Sequence, residues 1–303
     1  MKKESFTEIW EEKNKLLSES TWRKRIASLK SKEQIKNRKL AQKICEEKLI
    51  SAVQKRLINQ KFGILFSGGV DSSVIAAIAK KFGTNFICYC LGFQEQTRIP
   101  EDIIMAKKVA QKLGLKLKYK ILNLQETEKY FLRAVKILQK YREIDVVVAN
   151  VGAVLLASLE LGKKDKIDYF FSGLGSEEIF AGYERHELAQ DKEKACWEGL
   201  SSVLKRDLTR DYYLAKFLKV NLSTPFLDED LIREVMKIPI KWKINKTEKK
   251  IILREVAEKY LGQFAWRKKQ AAQYGSCFDK ALQKIARRHG FKSKRAWVLS
   301  LVD

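Results

Sequence analysis

The stretch Phe62-Gly-Ile-Leu-Phe-Ser-Gly-Gly-Val-Asp-Ser-Ser73 decides how this sequence folds. Its first five residues are mostly apolar and predict a buried strand, and the apolar run 74–79 predicts a helix. Between them lie two glycines, an aspartate and small hydroxyl side chains. A loop of this composition exposes backbone N–H groups at the start of a helix, where an anion is favoured. The stretch therefore predicts an anion-binding turn between a strand and a helix.

The chemistry of the turn favours a pyrophosphate group as the anion. The turn differs from the Walker pattern because it contains no lysine. Backbone amides and the hydroxyls of Ser67, Ser72 and Ser73 can surround a pyrophosphate, and Asp71 can hold Mg²⁺ on the same phosphates.

The composition is that of an ordinary folded protein. The chain has 303 residues, of which 45% are hydrophobic and only three are proline, so it can bury a sizeable core. The N-terminus becomes charged where a signal peptide would become apolar, and no window of about eighteen residues is wholly apolar. The five cysteines show no CxxC or Cys/His spacing. We therefore expect a soluble, cytoplasmic protein with reduced thiols, no structural metal and no membrane contact.

Net charge is the unusual bulk property. The chain has 61 Lys and Arg against 37 Asp and Glu, a formal charge of +24. The excess lies at the ends: residues 1–60 carry 16 basic and 8 acidic side chains, and residues 280–303 carry 7 and 1. An excess of this size predicts a polyanionic partner, most simply RNA. The alternative is that basic faces only solvate the protein.

Predicted strands alternate with predicted helices, which indicates a parallel sheet with helices on both faces. The predicted strands are 62–66, 85–91, 116–123 and 167–171. The predicted helices are one or two within 1–39, then 40–60, 71–82, 100–113, 126–140, 149–162, 192–219, 228–237, 247–261 and 276–289. Ligands of open parallel sheets bind outside the carboxyl ends of the strands, so the loops 67–73 and 172–183 are the candidate site.

These loops and three later segments resemble a known family. Ser67-Gly-Gly-Val-Asp-Ser-Ser73 resembles the PP-loop of the ATP pyrophosphatase superfamily, whose members cleave ATP between the α and β phosphates and adenylate a substrate oxygen. Ser172-Gly-Leu-Gly-Ser-Glu-Glu-Ile-Phe-Ala-Gly-Tyr183 resembles the SGxGxDExFxGY signature of asparagine synthetases. Further matches follow in the family's order: Thr224-Pro-Phe-Leu-Asp228, Lys250-Ile-Ile-Leu-Arg254, and Trp266-Arg-Lys-Lys269 followed by Tyr274-Gly275.

The resemblance covers about residues 40–282 and is to the synthetase domain, without the N-terminal glutaminase that such enzymes carry. No cysteine follows Met1, so we expect no glutaminase nucleophile among these residues. The segments around GYERH (182–186) and QYGS (273–276) look most like the asparagine synthetase domain-containing proteins of eukaryotes. The fold that this implies is the PP-loop α/β fold with a largely helical C-terminal part.

The resemblance also implies a role for individual residues. The residues that would bind the phosphates of ATP, with Mg²⁺, are Ser67, Gly68, Gly69, Asp71, Ser72 and Ser73. Ser172 and Gly173 would approach the nucleotide through their backbone. Glu177 stands where the family has an aspartate associated with metal or pyrophosphate, and Glu178 keeps the family's glutamate. Tyr183 and Lys250 would face the phosphates, where a lysine could neutralise charge on departing pyrophosphate; Arg267 and Lys268 are further candidates for that task. The resulting catalytic set is Asp71, Glu177, Lys250 and Arg267, with Asp71 and Glu177 as the metal ligands.

The sequence departs from the family pattern on the side of the acceptor substrate. Leu174 replaces a glutamate implicated in handling ammonia and the acyl-adenylate, and leucine can neither take nor give a proton. The family's Glu-Ala-Arg before PFLD is Asn221-Leu222-Ser223 here, which removes both charges. The residues that would handle phosphate are complete, so the pattern favours an active enzyme with an altered acceptor site.

We therefore expect an ATP-dependent ligase of the asparagine synthetase type, forming AMP and pyrophosphate and activating a carboxylate or carbonyl for attack by ammonia. The acceptor would be a tRNA nucleoside, which the basic ends would help to bind, or aspartate or another small acid. Free ammonia or a separate glutaminase would supply the nitrogen. Sulfur transfer to tRNA is disfavoured because no catalytic cysteine pair is present, and the remaining alternative is a non-catalytic RNA- or protein-binding module.

Three parts are expected along the chain. Residues 1–39 would form a basic helical extension, and residues 40–190 the PP-loop ATP-binding domain. Residues 191–303 would form a helical part packed on the sheet, ending in a basic tail.

Overall fold

A five-stranded parallel sheet forms the centre of the computed structural model, which describes residues 6–94, 99–268 and 271–302. The strands are β3 (Phe62–Leu65), β4 (Phe86–Phe93), β5 (Leu117–Leu122), β6 (Tyr169–Phe171) and β7 (Asn221–Ser223), in the spatial order β5-β4-β3-β6-β7. Every neighbouring pair in this sheet is parallel. A separate antiparallel hairpin, β1 (Glu11–Glu12) and β2 (Lys15–Leu16), precedes it.

Helices connect the strands and continue after the last one. The first eight α-helices are α1 (Glu19–Ser28), α2 (Arg38–Gln54), α3 (Val70–Lys81), α4 (Glu101–Leu113), α5 (Leu124–Leu138), α6 (Val146–Lys163), α7 (Ser176–Ile179) and α8 (Glu184–Leu188). The others are α9 (Lys192–Val203), α10 (Thr209–Phe217), α11 (Glu229–Met236), α12 (Ile251–Leu261), α13 (Ala272–Gly275), α14 (Phe278–Arg288) and α15 (Lys294–Leu299). Short 3₁₀-helices occupy Pro225–Leu227, Ile240–Trp242 and Gly262–Trp266.

The sheet is buried on both faces, as the predicted architecture requires. Side chains of β4 alternate between two hydrophobic clusters: Phe86, Cys88 and Cys90 enter one, and Ile87 and Tyr89 enter the other. The first cluster also receives α2, α3, α4, α11 and α12, and the second receives α5, α6, α10, α14 and α15. The predicted parallel sheet with helices on both faces is thus confirmed.

Several predicted elements differ in extent. The single helix predicted for 192–219 is α9, a π-helical turn at Leu204–Leu208, and α10, because the turn inserts between two α-helical segments. Strand β7 was not predicted, since three residues are too few to show an alternating pattern. Helix α6 is long and apolar enough to cross a membrane by length and composition, but 61% of that stretch is buried inside the protein, as in the core helix of a folded domain.

The first described residues pack into the core. Where one or two helices were predicted within 1–39, the structure has the β1–β2 hairpin and α1. Trp22 is fully buried and its Nε1 donates to the carbonyl of Leu200 at 2.9 Å. Trp10 Nε1 donates to Thr224 Oγ1 at 2.7 Å, and the Glu8 carboxylate receives the guanidinium of the buried Arg56.

The division into three parts at 39/40 and 190/191 stays a prediction. Described residues from all three parts contribute to the first hydrophobic cluster, among them Trp22, Val74 and Leu253.

Candidate active site

The two candidate loops meet where the strand order reverses. Strand β3 lies between β4 and β6, and the loops leaving β3 and β6 emerge at the same edge of the sheet because the strands are parallel. This is the position at which ligands of open α/β sheets bind. Seven predicted site residues of the two loops line a single cavity of about 250 Å³: Ser67, Asp71, Ser72, Ser172, Gly173, Glu177 and Tyr183. Gly68, Gly69, Ser73 and Lys250 are not among its lining residues.

The turn after β3 requires glycine at position 68. Gly68 has φ of +69°, and a Cβ there would lie 2.7–2.9 Å from backbone atoms of Met105 and Ala106 in α4. Gly69 then caps α3 in an extended conformation, so the first turn of that helix begins at the cavity. Ser73 is fully buried, and its Oγ has no hydrogen-bond partner among the described residues. The turn thus combines a helix N-terminus with an unsatisfied hydroxyl, which fits an anion.

Lys250 joins the two loops. Its Nζ lies 2.8 and 2.9 Å from the two carboxylate oxygens of Asp71, 2.8 Å from Glu177 Oε1 and 2.9 Å from Ser176 Oγ. Both Lys250 and Asp71 are buried, with relative exposures of 5% and 4%. Burial disfavours the charged lysine, but the Asp71 and Glu177 carboxylates outweigh it and raise the pKa of Lys250. The structure therefore brings three of the predicted catalytic residues together around one ammonium group.

Close backbone approaches fix this arrangement. Gly182 leaves room for the Glu177–Lys250 contact because it has no Cβ. A Cβ at this position would lie 1.8 Å from Glu177 Oε2 and 2.3 Å from Lys250 Cε. Gly173 lies beside α3, where a Cβ would be 3.0 Å from Asp71 Cβ. Lys250 itself adopts φ of +58°, an unfavourable conformation for a lysine. Backbone strain of this kind persists only where the surrounding contacts determine it.

Proteins commonly bind Mg²⁺ on phosphates through one or two carboxylate side chains, and phosphate oxygens and waters complete the coordination shell. Asp71 and Glu177 fit this pattern, because both contact the same cation, the ammonium of Lys250. The described ranges contain no group of three or more His, Cys, Asp or Glu side chains that could hold a metal by themselves. The donor set therefore suits a metal that arrives with phosphate, rather than a structural metal.

A charged cluster that sequence reasoning missed forms another part of the cavity. Arg210 and Asp211 line it, and Arg210 donates to Asp211 at 2.7 Å and to Asp207 at 3.1 Å. Arg206 pairs with Asp207 and with Glu178, which also lines the cavity. The sequence carried a signal for this cluster: Arg-Asp occurs twice, at 206–207 and 210–211, one helical turn apart.

Glu178 is fully buried within this cluster. Burial raises the pKa of its carboxyl group to about 7, in spite of the positive charge of Arg206. Its Oε2 has no hydrogen-bond partner among the described residues. The cavity thus contains a carboxyl group that can change protonation near neutral pH.

Tyr183 has two arginines near its ring. The guanidinium carbon of Arg185 lies 4.1 Å from the centre of its ring, and that of Arg206 lies 5.2 Å away. Arg206 also donates to the Tyr183 hydroxyl at 3.3 Å. Burial, followed by the charges of Glu178 and Asp207, raises the pKa of Tyr183, so the phenol stays protonated and can donate a hydrogen bond.

Arg267 contacts the first loop and the start of α4. It donates to the carbonyl of Ser67 at 3.3 Å and to Glu101 at 3.0 Å, and it lies 3.7 Å from Asp102. Arg267 does not line the cavity, whereas Asp102 does. Lys268 is exposed. The structure thus supports the loop with Arg267 but does not place that guanidinium beside Lys250.

The departures from the family pattern fall in two places. Leu174 lines the cavity, next to the turn that carries Glu177 and Glu178. Asn221 and Ser223 do not line it. Ser223 Oγ instead donates to Glu8 Oε1 at 3.0 Å, within the N-terminal contacts. Of the two departures, only Leu174 changes the surface of the cavity.

A family model for asparagine synthase matches residues 45–219 and 191–300 of the chain. The chain is 32% identical over 295 residues to a protein of Methanocaldococcus jannaschii named "Putative asparagine synthetase [glutamine-hydrolyzing] 1", covering 84% of this chain and 53% of that one. It is 30% identical over 241 residues to the human asparagine synthetase (glutamine-hydrolyzing), covering 74% and 42%. The chain therefore spans about half the length of the curated relatives it matches.

Likeness to solved structures is weaker. The U34-tRNA thiolase of Methanococcus maripaludis shares 17% identity with this chain, with a TM-score of 0.37 over 80% of each chain. A TM-score of this size carries no argument about function.

Proposed function

The chain belongs to the asparagine synthase family, and from that premise we propose that it is an ATP-dependent ligase that adenylates an acceptor carboxylate or carbonyl, releasing pyrophosphate, for attack by ammonia. The matched relatives are about twice as long as this chain, so the activity is proposed for the residues present here and not carried over from theirs.

The observation that carries the proposal is the contact of Lys250 with both loops. The buried ammonium lies within 2.9 Å of Asp71, Ser176 and Glu177, at the edge of the sheet where β3 and β6 end. In this position it can stabilise the negative charge of a triphosphate. Since the ammonium is held in place before any ligand arrives, little reorganisation is needed when charge develops on the departing pyrophosphate.

The other residues take the following roles in the proposal. The amides at the start of α3 and the hydroxyls of Ser67, Ser72 and Ser73 bind phosphate oxygens, with Gly68 and Gly69 shaping the turn. Asp71 and Glu177 hold Mg²⁺, which would neutralise phosphate charge when bound. Ser172 and Gly173 border the nucleotide through their backbone, and Tyr183 donates from its protonated hydroxyl. Arg267 positions the first loop through the carbonyl of Ser67.

The acceptor would lie on the side of the cavity that carries Leu174, Arg210 and Asp211. Two acceptor classes remain: a nucleoside in tRNA, which the net charge of +24 favours, and aspartate or another small acid. Ammonia, either free or delivered by a separate glutaminase, would be the nucleophile.

The acceptor can be tested by following nitrogen. The purified protein is incubated with Mg-ATP and ¹⁵N-ammonium, together with either aspartate or bulk tRNA, and both asparagine and digested nucleosides are examined by mass spectrometry. We expect ¹⁵N in one of these two products and none with the Asp71→Ala variant. Binding of ATP without ¹⁵N transfer to either would contradict the ligase proposal and favour a non-catalytic RNA- or protein-binding module.

A further inference from the structure

A groove of about 400 Å³ lies between α5 and α10, on the face of the sheet formed by the second hydrophobic cluster. Eight residues line this α5–α10 groove: Arg133, Lys136, Ile137, Lys140, Tyr141, Tyr213, Lys216 and Phe217. Four of the eight are basic and the other four are apolar or aromatic. The groove shares none of its lining residues with the candidate active site.

Two tyrosines form a flat stack at this groove. The rings of Tyr141 and Tyr213 lie 3.6 Å apart between centroids, at an interplanar angle of 7°. Tyr213 is braced in turn by an edge contact with Tyr212 at 5.2 Å. Tyr141 is 49% exposed and Phe217 is 55% exposed. A ring held parallel to a neighbour and open to solvent is a surface on which another planar ring can stack.

Basic side chains flank the stack at regular spacing. Lys129, Arg133, Lys136 and Lys140 succeed one another at intervals of four, three and four residues, which places them along one side of α5 and the turn after it. Arg133 pairs with Glu160, whereas Lys136 and Lys140 have no ion-pair partner among the described residues. From α10, Lys216 lies over the ring of Tyr212, 5.4 Å from its centre. The groove thus offers positive charge beside exposed aromatic rings.

We propose that the α5–α10 groove binds a single-stranded segment of RNA, with one base stacked on Tyr141 and the adjoining phosphates on Lys136 and Lys140. Single-stranded nucleic acids are bound by this combination of stacking rings and a basic track. An anionic lipid surface would use the positive charge but not the coplanar pair of tyrosines. The inference extends the RNA partner of the proposed function, and it needs no particular acceptor.

The stacking contact can be tested with Tyr141→Ala. Binding of a fluorescein-labelled oligouridylate and of bulk tRNA is measured by fluorescence anisotropy at about 50 mM salt, with the DNA oligomer of the same length as a comparison. We expect the variant to bind both RNAs roughly 5- to 150-fold more weakly. The matched control is Tyr119→Ala, which removes a tyrosine of similar exposure, 43%, beside Lys107 on the opposite face of the sheet.

The phosphate contacts can be tested through salt dependence. For single strands the slope of log K against log salt concentration is about −0.7 per phosphate contact, so Lys136→Ala/Lys140→Ala should make the slope less steep by roughly 1.4. Lys108→Ala/Lys112→Ala is the control, since it removes two exposed lysines that are also four residues apart, on α4. ATP binding and the thermal midpoint are measured for every variant, and we expect them to match the wild type.

Three results would overturn the inference: wild-type affinity in both groove variants, equal losses in the control variants, or binding to vesicles containing phosphatidylserine but not to RNA. If RNA is not bound at all while pyrophosphate release persists, the groove proposal fails and the ligase proposal stands. If the groove variants weaken RNA binding but neither AMP nor pyrophosphate is formed, the groove proposal stands and the ligase proposal fails.

Discussion

Lys250 is the residue on which the candidate active site depends. It caps the N-terminus of α12 in a left-handed backbone conformation. From there its side chain contacts Asp71 on α3 and Ser176 on α7, two helices that are distant in sequence. Its ammonium neutralises the buried carboxylate of Asp71 and the partly exposed carboxylate of Glu177, which would otherwise repel each other. Removing a charged ammonium group from water costs several kcal/mol. A role of Lys250 in catalysis therefore explains its buried position better than a contribution to stability does.

Lys250→Met should remove this charge with little change in side-chain volume. We expect pyrophosphate release to fall at least about 100-fold, because the positive charge aimed at the leaving group is lost. Stability should fall by about 3–5 kcal/mol, since Asp71 and Glu177 lose their partner, and Mg²⁺ should restore more of it than in the wild type. Urea unfolding with and without Mg²⁺ measures this. The control is Lys249→Met, which removes only the more exposed pair with Glu187; an equal loss of activity there would contradict the assignment.

Some of the site was predictable from sequence and some was not. The positions of Asp71, Glu177 and Lys250 follow from ordered motifs, because each motif marks the end of a strand or the start of a helix. Ser176 and Arg210 were missed because their roles depend on which helices pack beside the cavity. The role of Arg267 at the phosphates stays a prediction. Its partners are the Ser67 carbonyl, in the first loop, and Glu101 and Asp102 on α4, and the sequence alone did not indicate these contacts.

At the level of secondary-structure elements, the short loop from β6 to α8 has the tightest geometry. Gly175 adopts φ of +99° and caps α7, and Gly182 ends the turn directly against the Glu177 and Lys250 side chains. A side chain at Gly182 would collide with the Glu177 carboxylate, whose side chain is 31% exposed, and with Lys250 Cε, which the contacts of the buried ammonium hold in place.

Gly182→Ala should therefore displace the Glu177–Lys250 pair. We expect pyrophosphate release to fall by at least an order of magnitude, with destabilisation of about 1–3 kcal/mol typical of overpacking. Gly199→Ala in α9 is a suitable control, because its Cβ would meet neighbours only at 3.4 Å and beyond and alanine favours a helix. Activity of Gly182→Ala equal to that of Gly199→Ala would show that the pair is not needed.

Helix α8 carries a buried histidine that should make the protein sensitive to acid. Burial, aided by the positive charges of Arg185, Arg206, Lys249 and Lys243, lowers the pKa of His186 to about 4. The folded state therefore holds this ring neutral while the unfolded chain takes up a proton below about pH 6.5. The contribution of His186 is complete above pH 6.5 and is lost as the pH falls toward 4.

The loss should amount to about 3 kcal/mol at most. Glu178, whose pKa is raised to about 7, acts in the opposite direction over this interval and is present in both proteins, so the difference between them isolates His186. Relative to each protein's own midpoint at pH 7.5, we expect the thermal midpoint of the wild type to fall further, or rise less, than that of His186→Gln. Parallel curves for the two proteins would contradict the role of His186.

Element by element, the sequence pattern predicted what is periodic. Helices α3, α4, α6 and α12 lie within a few residues of their predicted bounds, because apolar periodicity and glycine or proline mark their ends. Strand β7 and the β1–β2 hairpin were missed. Their two or three residues per strand carry no period, and long-range packing decides their conformation.

At the scale of the whole molecule, residues 6–30 pack as part of the core. Alternating basic and acidic residues predict a basic helical extension over 1–39, and that division stays a prediction. The apolar residues between these charges, including Trp10, Trp22 and Ile26, are buried. The charges remain at the surface while the apolar side chains join the first hydrophobic cluster. The charge pattern therefore indicated which side chains of this segment face solvent, but not that its apolar side chains pack against the rest of the protein.

Trp22→Ala tests that attachment. We expect a loss of about 3–5 kcal/mol in the free energy of unfolding, because the indole is fully buried and its Nε1 donates to Leu200. Leu40→Ala in α2, where the side chain is 49% exposed, should change the free energy by less than about 0.5 kcal/mol. Equal denaturation midpoints for Trp22→Ala and the wild type would show that residues 6–30 are not part of the cooperative core.

We propose that Asp71, Glu177 and Lys250 serve the cleavage of ATP between the α and β phosphates. The test is to identify the products from two samples of Mg-ATP, one labelled in the α phosphate and one in the γ phosphate, in the presence of ammonium with aspartate and bulk tRNA. We predict AMP and pyrophosphate in equal amounts for the wild type, and at least about 100-fold less of both for Asp71→Asn. Formation of ADP and phosphate, or undiminished AMP from Asp71→Asn, would contradict the account.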